Sequence, residues 1–342
     1  MRPASPLGLD AHVWYPPERD SADRAVAEGR VGARTAADLG YRELPVSNDL
    51  APPDMAVRAA RELLDRVGRA PDTVASLFHA SVHHQGHDAW SAPHYIAHRL
   101  GVPAVPIGLL QQCNGGAAGV ELAAAGLAAD PEAGANLVTT ADRFLPPSWD
   151  RWRGDYGMAA GDAATAVLVH RDTTRADLLL HGTGTAVAAE LEVMHRGRDG
   201  FDATPLGHGP TIDVRRPKRA FVRMFGVEHF VSVAHQSIAK AVADCLACCA
   251  LEPDDPRLRW AVLPRLGTRA MAEAYVPPLT RGVSAPLLDL GRSTGHLGAG
   301  DLVASLAELV SGDLLAPGEH ALVLNGGGGF TFTAAIVSRP AR

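Results

Sequence analysis

The sequence has little cysteine: four residues in 342. Three of them, Cys245, Cys248 and Cys249, crowd one predicted helix. That arrangement excludes a disulfide framework. No second cysteine pair or suitably spaced histidine accompanies them, so no metal is expected and they read as small buried apolar side chains. Long apolar runs are also missing, and no stretch could span a bilayer. Met1 to Asp20 holds no apolar core of signal-peptide type, which points to a cytoplasmic protein with no membrane role. Nor is there an excess of positive charge: the net charge of −6 argues against nucleic acid as the main partner.

The remainder is an ordinary globular composition, 46% hydrophobic and 20% charged, on a chain long enough for two domains or one fold in two halves. One stretch departs from the charge balance. Arg215, Arg216, Lys218, Arg219 and Arg223 form a basic run, either a solvated face or a docking patch for an acidic partner.

The spacing of apolar residues predicts a helix over Asp54 to Val67 with Asp54 as its N-cap. A link through Pro71 and Asp72 leads to a buried strand, Val74 to Ala80. The order recurs later, with a helix over Glu228 to Ala250, a Pro/Asp-rich link, and a strand over Arg259 to Leu263. Each half ends in two strands: Ala135 to Thr140 with Ala163 to His170, and His320 to Leu324 with Phe330 to Val337. No direct repeat is visible, so the duplication is one of topology. The boundary falls near Thr173 to Asp177, giving halves 1–173 and 174–342. Alternating strands and helices predict a layered α/β fold. Gly154 to Tyr156 and Arg196 to Arg216 read as long excursions that shape substrate entry.

Three segments could carry chemistry. In Pro106-Ile-Gly-Leu-Leu-Gln-Gln-Cys113-Asn-Gly-Gly, an apolar run enters a glycine-rich turn, and a helix follows from Ala117. Cys113 thus stands near a helix N-terminus, where the macrodipole favours a thiolate. A buried structural cysteine is the plain alternative. In Gly295-His296-Leu-Gly-Ala-Gly-Asp301, the histidine occupies a glycine-rich loop before a helix over Leu302 to Val310. Asp301 could cap that helix, or it could fix the tautomer of His296 as a base. The run Asn325-Gly-Gly-Gly-Gly-Phe330 joins two strands and can present N–H groups to developing negative charge; a hairpin tip is the bland reading. His79, His83, His84 and His87 cluster at a strand end and its loop, lining a site entrance rather than matching a zinc pattern.

Together these segments resemble β-ketoacyl-acyl-carrier-protein synthase III and its thiolase-superfamily relatives, over Tyr41 to Ser338. Leu110-Gln-Gln-Cys-Asn-Gly115 resembles the nucleophile segment, Gly161-Asp-Ala-Ala-Thr-Ala-Val167 the GDGA-type strand entry, and Gly326-Gly-Gly-Gly-Phe-Thr331 the C-terminal glycine loop. Condensing members carry a His in an HQAN-like segment; here Pro264 stands at that place. Where they have an Asn in a GNTSAAS-like segment, this chain has His296, and Asp301 replaces a Ser. The pattern resembles the ketosynthase-III-like acyltransferases of antibiotic pathways, with a Cys–His–Asp triad.

The resemblance implies a five-layered αβαβα fold of two topologically similar halves and a homodimer. It implies ping-pong acyl transfer without a cofactor, the acyl group arriving as a phosphopantetheine-borne or CoA thioester. Cys113 would be the nucleophile, and the N–H groups of Cys113 and Gly328 the oxyanion hole. His296 with Asp301 would deprotonate the acceptor, a hydroxyl, an amine or a second carrier-protein thiol. Asn114 is a candidate for positioning substrate. Arg265, Arg269 and the run Arg215 to Arg223 are candidates for docking an acidic acyl carrier protein. Three alternatives stay open: a condensing enzyme that releases carbon dioxide from a malonyl thioester, a thioesterase, and a non-catalytic carrier-protein-binding subunit.

Overall fold

The structure, a computed structural model, describes residues 1–341. Twelve strands occur among the described residues: β1 Leu7–Trp14, β2 Glu18–Ser21, β3 Glu43–Val46, β4 Val74–Ala80, β5 Val105–Leu109, β6 Ala135–Asp142, β7 Ala163–His170, β8 Leu178–Val187, β9 Leu258–Val262, β10 Leu287–Leu288, β11 His320–Gly327 and β12 Thr331–Ser338. β2 and β3 form a small antiparallel ribbon; the others form one sheet in the order β10-β9-β11-β12-β8-β1-β7-β6-β4-β5.

Read outward from its middle, that order is the same on both sides. β1, β7, β6, β4 and β5 mirror β8, β12, β11, β9 and β10. In each set the inner pairs are antiparallel and the outer pairs parallel. Among the described residues the strands of the two sets pair only where Leu7–Leu9 of β1 lie beside Leu178–Leu180 of β8.

Strands such as β6 and β7 are buried along their whole length, so they read as continuous apolar runs without alternation. The two-residue period survives in what each face touches. Val167 and Val169 face one core, while Ala164, Ala166 and Leu168 face another. The first core is the centre of the molecule. There the helices Gly115–Ala129 and Asp301–Ser311 lie between strands of both sets. The helices Pro52–Val67 and Ala92–Leu100 cover one outer face. Val227–Cys249 and Val276–Gly282 cover the other. The result is five layers, helix–sheet–helix–sheet–helix. The central helix Gly115–Ala129 is almost entirely alanine, glycine and aliphatic residues, as a helix enclosed on most sides requires.

Several expectations shift locally. Asp54 is not an N-cap: the helix starts at Pro52 with Ala51 as cap, because two prolines lacking N–H groups suit a first turn. Asp54 accepts the Tyr95 hydroxyl at 2.7 Å instead. Of the three helical cysteines only Cys245 is buried; Cys248 and Cys249 are partly exposed. The excursion after Arg196 ends earlier than expected, since Arg215–Phe225 is a helix. Among the described residues no helix is long and apolar enough to cross a membrane.

Candidate active site

Cys113 and His296 stand at equivalent places in the two strand sets. Each lies in the connection that leaves an edge strand, β5 or β10, and enters a central helix. The two connections converge in the middle of the molecule, where an added Cβ on Gly115 would lie 3.4 Å from the Ala299 Cβ.

On the first corner, Cys113 sits in a one-turn 3₁₀ segment, Gln112–Asn114, directly ahead of the helix Gly115–Ala129. Gln112 holds φ of 49°, the left-handed region that a glutamine rarely occupies. Such strain, set where a strand turns sharply into a helix, lifts the next side chain out of the corner. Cys113 is partly exposed and unpaired by any disulfide.

Asn114 does not face substrate. It is fully buried, and its amide donates to Gln111 Oε1 at 2.9 Å and Thr333 Oγ1 at 3.1 Å. Its oxygen accepts from Asn325 Nδ2 at 3.2 Å. The expectation that it positions substrate is therefore corrected: every polar atom is spent on fastening the nucleophile turn to β11 and β12. Asn325, a residue whose site role the sequence did not reveal, also donates to the Cys113 carbonyl at 3.1 Å.

On the second corner, His296 is buried with only 1% of its surface exposed. Its backbone is fixed by Ala159 O, which accepts its N–H at 2.9 Å, and by Gly161 N, which donates to its carbonyl at 2.9 Å. Nδ1 bonds Asp301 Oδ2 at 2.7 Å. Asp301 does not cap the following helix; it is that helix's first residue, and Gly300 is the cap. Its second oxygen takes the N–H of Leu297 at 2.8 Å, and Oδ2 is also reached by the N–H of Arg265 at 3.3 Å. The carboxylate is thus held in one orientation with its charge aimed at the imidazole.

The other ring nitrogen, Nε2, is buried without a well-formed hydrogen bond among the described residues. Burial favours the neutral ring. The Asp301 carboxylate opposes it, with the Cys113 sulfur acting both electrostatically and as a hydrogen-bonding neighbour. Together they win and raise the His296 pKa well above the ordinary histidine range. Nδ1 is committed to Asp301, so the nitrogen that meets the sulfur is Nε2. Cysteine, imidazole and carboxylate stand in the order that nucleophilic acyl chemistry uses.

The glycine hairpin closes the site. A Cβ on Gly327 would fall 2.4 Å from Asn114 N and 3.2 Å from the Cys113 carbonyl carbon, so the loop lies directly on the nucleophile turn. Among the described residues the backbone N–H groups of Cys113 and Gly328 donate to no protein acceptor. Two further residues missed in the sequence border this centre. Tyr275 is buried, its pKa raised by burial and by the nearby Cys113 and Asp301. Asp142 accepts N–H groups of Val82, His83 and Ala299, tying the histidine loop to the end of β6. Burial pushes its pKa up to about 7. Neither carries a motif; both are recognisable only as polar residues ending buried elements.

Two groups of candidates fall elsewhere. Arg265 is completely buried: its guanidinium reaches Leu290 O, Thr294 Oγ1 and Glu308 Oε2. It cannot dock a carrier protein, and this corrects the expectation. Arg269 is exposed and pairs with Glu273. The basic run is largely neutralised. Arg215 donates to the carbonyls of Asp155 and Trp152, Arg216 pairs with Asp199, Lys218 with Asp155, and Arg219 bonds the Tyr156 hydroxyl. The histidine cluster disperses. His79 is buried between Thr139 and Gln85, and His83 bonds Ser148 and stacks on Phe144, so neither lines an open entrance.

The chain is similar to several solved structures. The acyltransferase ChlB3 matches with a TM-score of 0.88 and 30% identity, over 98% of this chain and 99% of that one. The 3-oxoacyl-(acyl carrier protein) synthase III FabH of Pseudomonas aeruginosa matches with a TM-score of 0.75 and 18% identity, over 98% and 99%. Acetamide-bound OleA of Xanthomonas campestris matches with a TM-score of 0.72 and 14% identity, over 98% and 99%. At these last two identities the likeness is one of fold. No family profile matches the sequence, and no curated protein does.

Proposed function

Because the chain belongs to the ketosynthase-III-like acyltransferase branch of the thiolase superfamily, we propose that it moves an acyl or aryl-acyl group from a carrier-protein or CoA thioester to a heteroatom through acyl-Cys113. The observation that carries this reading is the buried His296–Asp301 pair beside Cys113, with Pro264 where a condensing enzyme keeps a histidine. Decarboxylative condensation needs neutral donors that stabilise a carbanion. A carboxylate-backed imidazole instead serves to remove a proton from a nucleophile.

In the first half-reaction the Cys113 sulfur attacks the donor thioester. Its proton rests on His296, whose imidazolium Asp301 stabilises. The free N–H groups of Cys113 and Gly328 receive the oxyanion. The donor thiolate leaves and takes the proton from Nε2. In the second half-reaction the acceptor gives its proton to His296 as it attacks the acyl carbon. The new bond forms, the carbon–sulfur bond breaks, and Cys113 departs as a thiolate. Carrier protein is the donor we favour, with the exposed Arg223 and Arg269 as remaining docking cations. A homodimer is part of the proposal.

Intact-protein mass spectrometry after incubation with a panel of acyl-pantetheine thioesters tests the reading. A single acyl adduct is expected on the wild type and none on Cys113→Ala. An adduct that survives in that variant, or carbon dioxide released from a malonyl donor in a Cys113-dependent way, would overturn it.

A further inference from the structure

A second histidine reaches the glycine hairpin that closes this centre. His195 lies in the last turn of the short helix Val193–Arg196. A Cβ on Gly328 would meet its Cε1 and Nδ1 at 2.7 Å each, and would lie 3.6 Å from Gln112 Cγ. The ring therefore lies against the backbone of Gly328, with the residue preceding Cys113 on the same glycine. Phe330 braces it, ring centres 5.3 Å apart.

The ring has an open face as well. His195 is exposed and lines a cavity of about 490 Å³ walled by residues 195–217. Cys113 does not line this cavity; His195 is the lining residue that also lies against Gly328. No hydrogen bond engages either nitrogen of His195 among the described residues. The nearest charges are the Lys218 ammonium and the Asp155 carboxylate, which hold each other at 2.7 Å. Crowding by protein and the ammonium favour the neutral ring, against the pull of Asp155. The wall beyond mixes apolar groups such as Phe201 and Ile212 with the acids Asp199, Asp202 and Asp213. It is rich in hydrogen-bond acceptors.

We propose that this cavity is the acceptor's site and that His195 accepts a hydrogen bond from a donor group next to the acceptor's attacking atom. The acceptor class that fits carries two neighbouring polar hydrogens, as an amino alcohol or a diol does. A carrier-protein thiol offers a single S–H and lacks the second donor. The inference rests on the acyl-transfer reading and deepens it. His195 neither gains nor loses a proton in the step. The attacking atom's proton goes to His296, the bond to the acyl carbon forms, and the carbon–sulfur bond breaks.

The test uses full-length enzyme acylated on Cys113 and follows loss of the adduct by mass spectrometry. The probes are ethanolamine, ethylamine and pantetheine. In wild type, ethanolamine is expected to discharge the adduct more efficiently than ethylamine. In His195→Ala the ethanolamine rate falls about 10-fold, chiefly through KM, with ethylamine and the acylation step changed less than about 2-fold. His195→Gln, which keeps an acceptor atom, restores part of the loss. Equal losses for both amines would show a merely structural role and overturn the proposal, as would pantetheine discharging wild type fastest. Absence of any Cys113 adduct would instead sink the acyl-transfer reading itself, so the two failures are told apart.

Discussion

Asp301 is the residue on which the chemistry of this centre turns, because it sets the charge of His296. An isolated buried imidazole would be neutral. Here the carboxylate at 2.7 Å and the Cys113 sulfur raise the pKa well above the ordinary value despite complete burial. The sign of the stability effect follows. The folded-state pKa exceeds that of the unfolded chain, about 6.5. The bound proton therefore stabilises the fold fully below that value, and the contribution fades as pH rises through the folded value. Asp301→Asn removes the first source of the shift. Urea unfolding is expected to show the widest stability gap between wild type and D301N near pH 6, narrowing on the alkaline side. A gap independent of pH would contradict the charge assignment. Acyl transfer at neutral pH should fall about 10²- to 10⁴-fold in D301N, as when a triad loses its orienting carboxylate.

Among elements, the connection between β9 and the helix Thr268–Ala270 shows how a residue's neighbourhood decides its role. Arg265 follows directly on the motif position held by Pro264, and basic residues near a late strand invite a docking interpretation. Burial reverses it. Its guanidinium ties the segment after β9 to Leu290 and Thr294, in the loop between β10 and the helix Asp301–Ser311, and to Glu308 of that helix, and its backbone N–H touches Asp301. Arg265→Met is expected to cost about 3 kcal/mol in urea unfolding, since it leaves the Glu308 carboxylate with only the Tyr15 hydroxyl and removes the donor to the Leu290 and Thr294 oxygens. Arg269→Ala, at an exposed pair, should change stability by less than about 0.5 kcal/mol. A carrier-protein KM raised by R265M with stability intact would refute this division. The same contrast explains what the sequence could and could not disclose. Val74–Ala80 and Ala163–His170 were legible as strands because apolar runs bounded by turn residues announce themselves. Cys113, His296 and the glycine hairpin were legible because each sits in a short glycine-rich segment. Asn325, Asp142, Tyr275 and His195 were not. Their importance comes from contacts across more than fifty residues of chain, and a local pattern holds no trace of such contacts.

At the scale of the whole molecule, the sheet ends in an edge that a lone chain leaves open. β5 pairs with β4 and, among the described residues, has no strand on its other side. Val105 is 73% exposed there, Ile107 43%, and Leu110, just beyond, 83%. Natural edge strands are ordinarily guarded by charge, bulges or a covering element. This one presents aliphatic side chains instead, and Leu122 on the adjacent central helix is exposed beside it. Pro106 removes one N–H from the strand, which lowers the appeal of indiscriminate pairing without abolishing the edge. The homodimer we propose would cover this surface, because antiparallel pairing of β5 with its own mate is self-complementary about a twofold axis. The nucleophile turn begins at Gln112, three residues beyond the end of β5, so a mate pinned to that strand would also steady Cys113. Light scattering on wild type is expected to give twice the 35.9 kDa chain mass, with a melting temperature that rises with protein concentration. Ile107→Lys combined with Leu110→Lys places two charges on the edge and should yield a monomer. That monomer should acylate Cys113 at least about 10-fold more slowly, as expected when a 1 Å misplacement reaches a reacting group. A wild-type monomer with full activity would show that the open edge serves some other purpose.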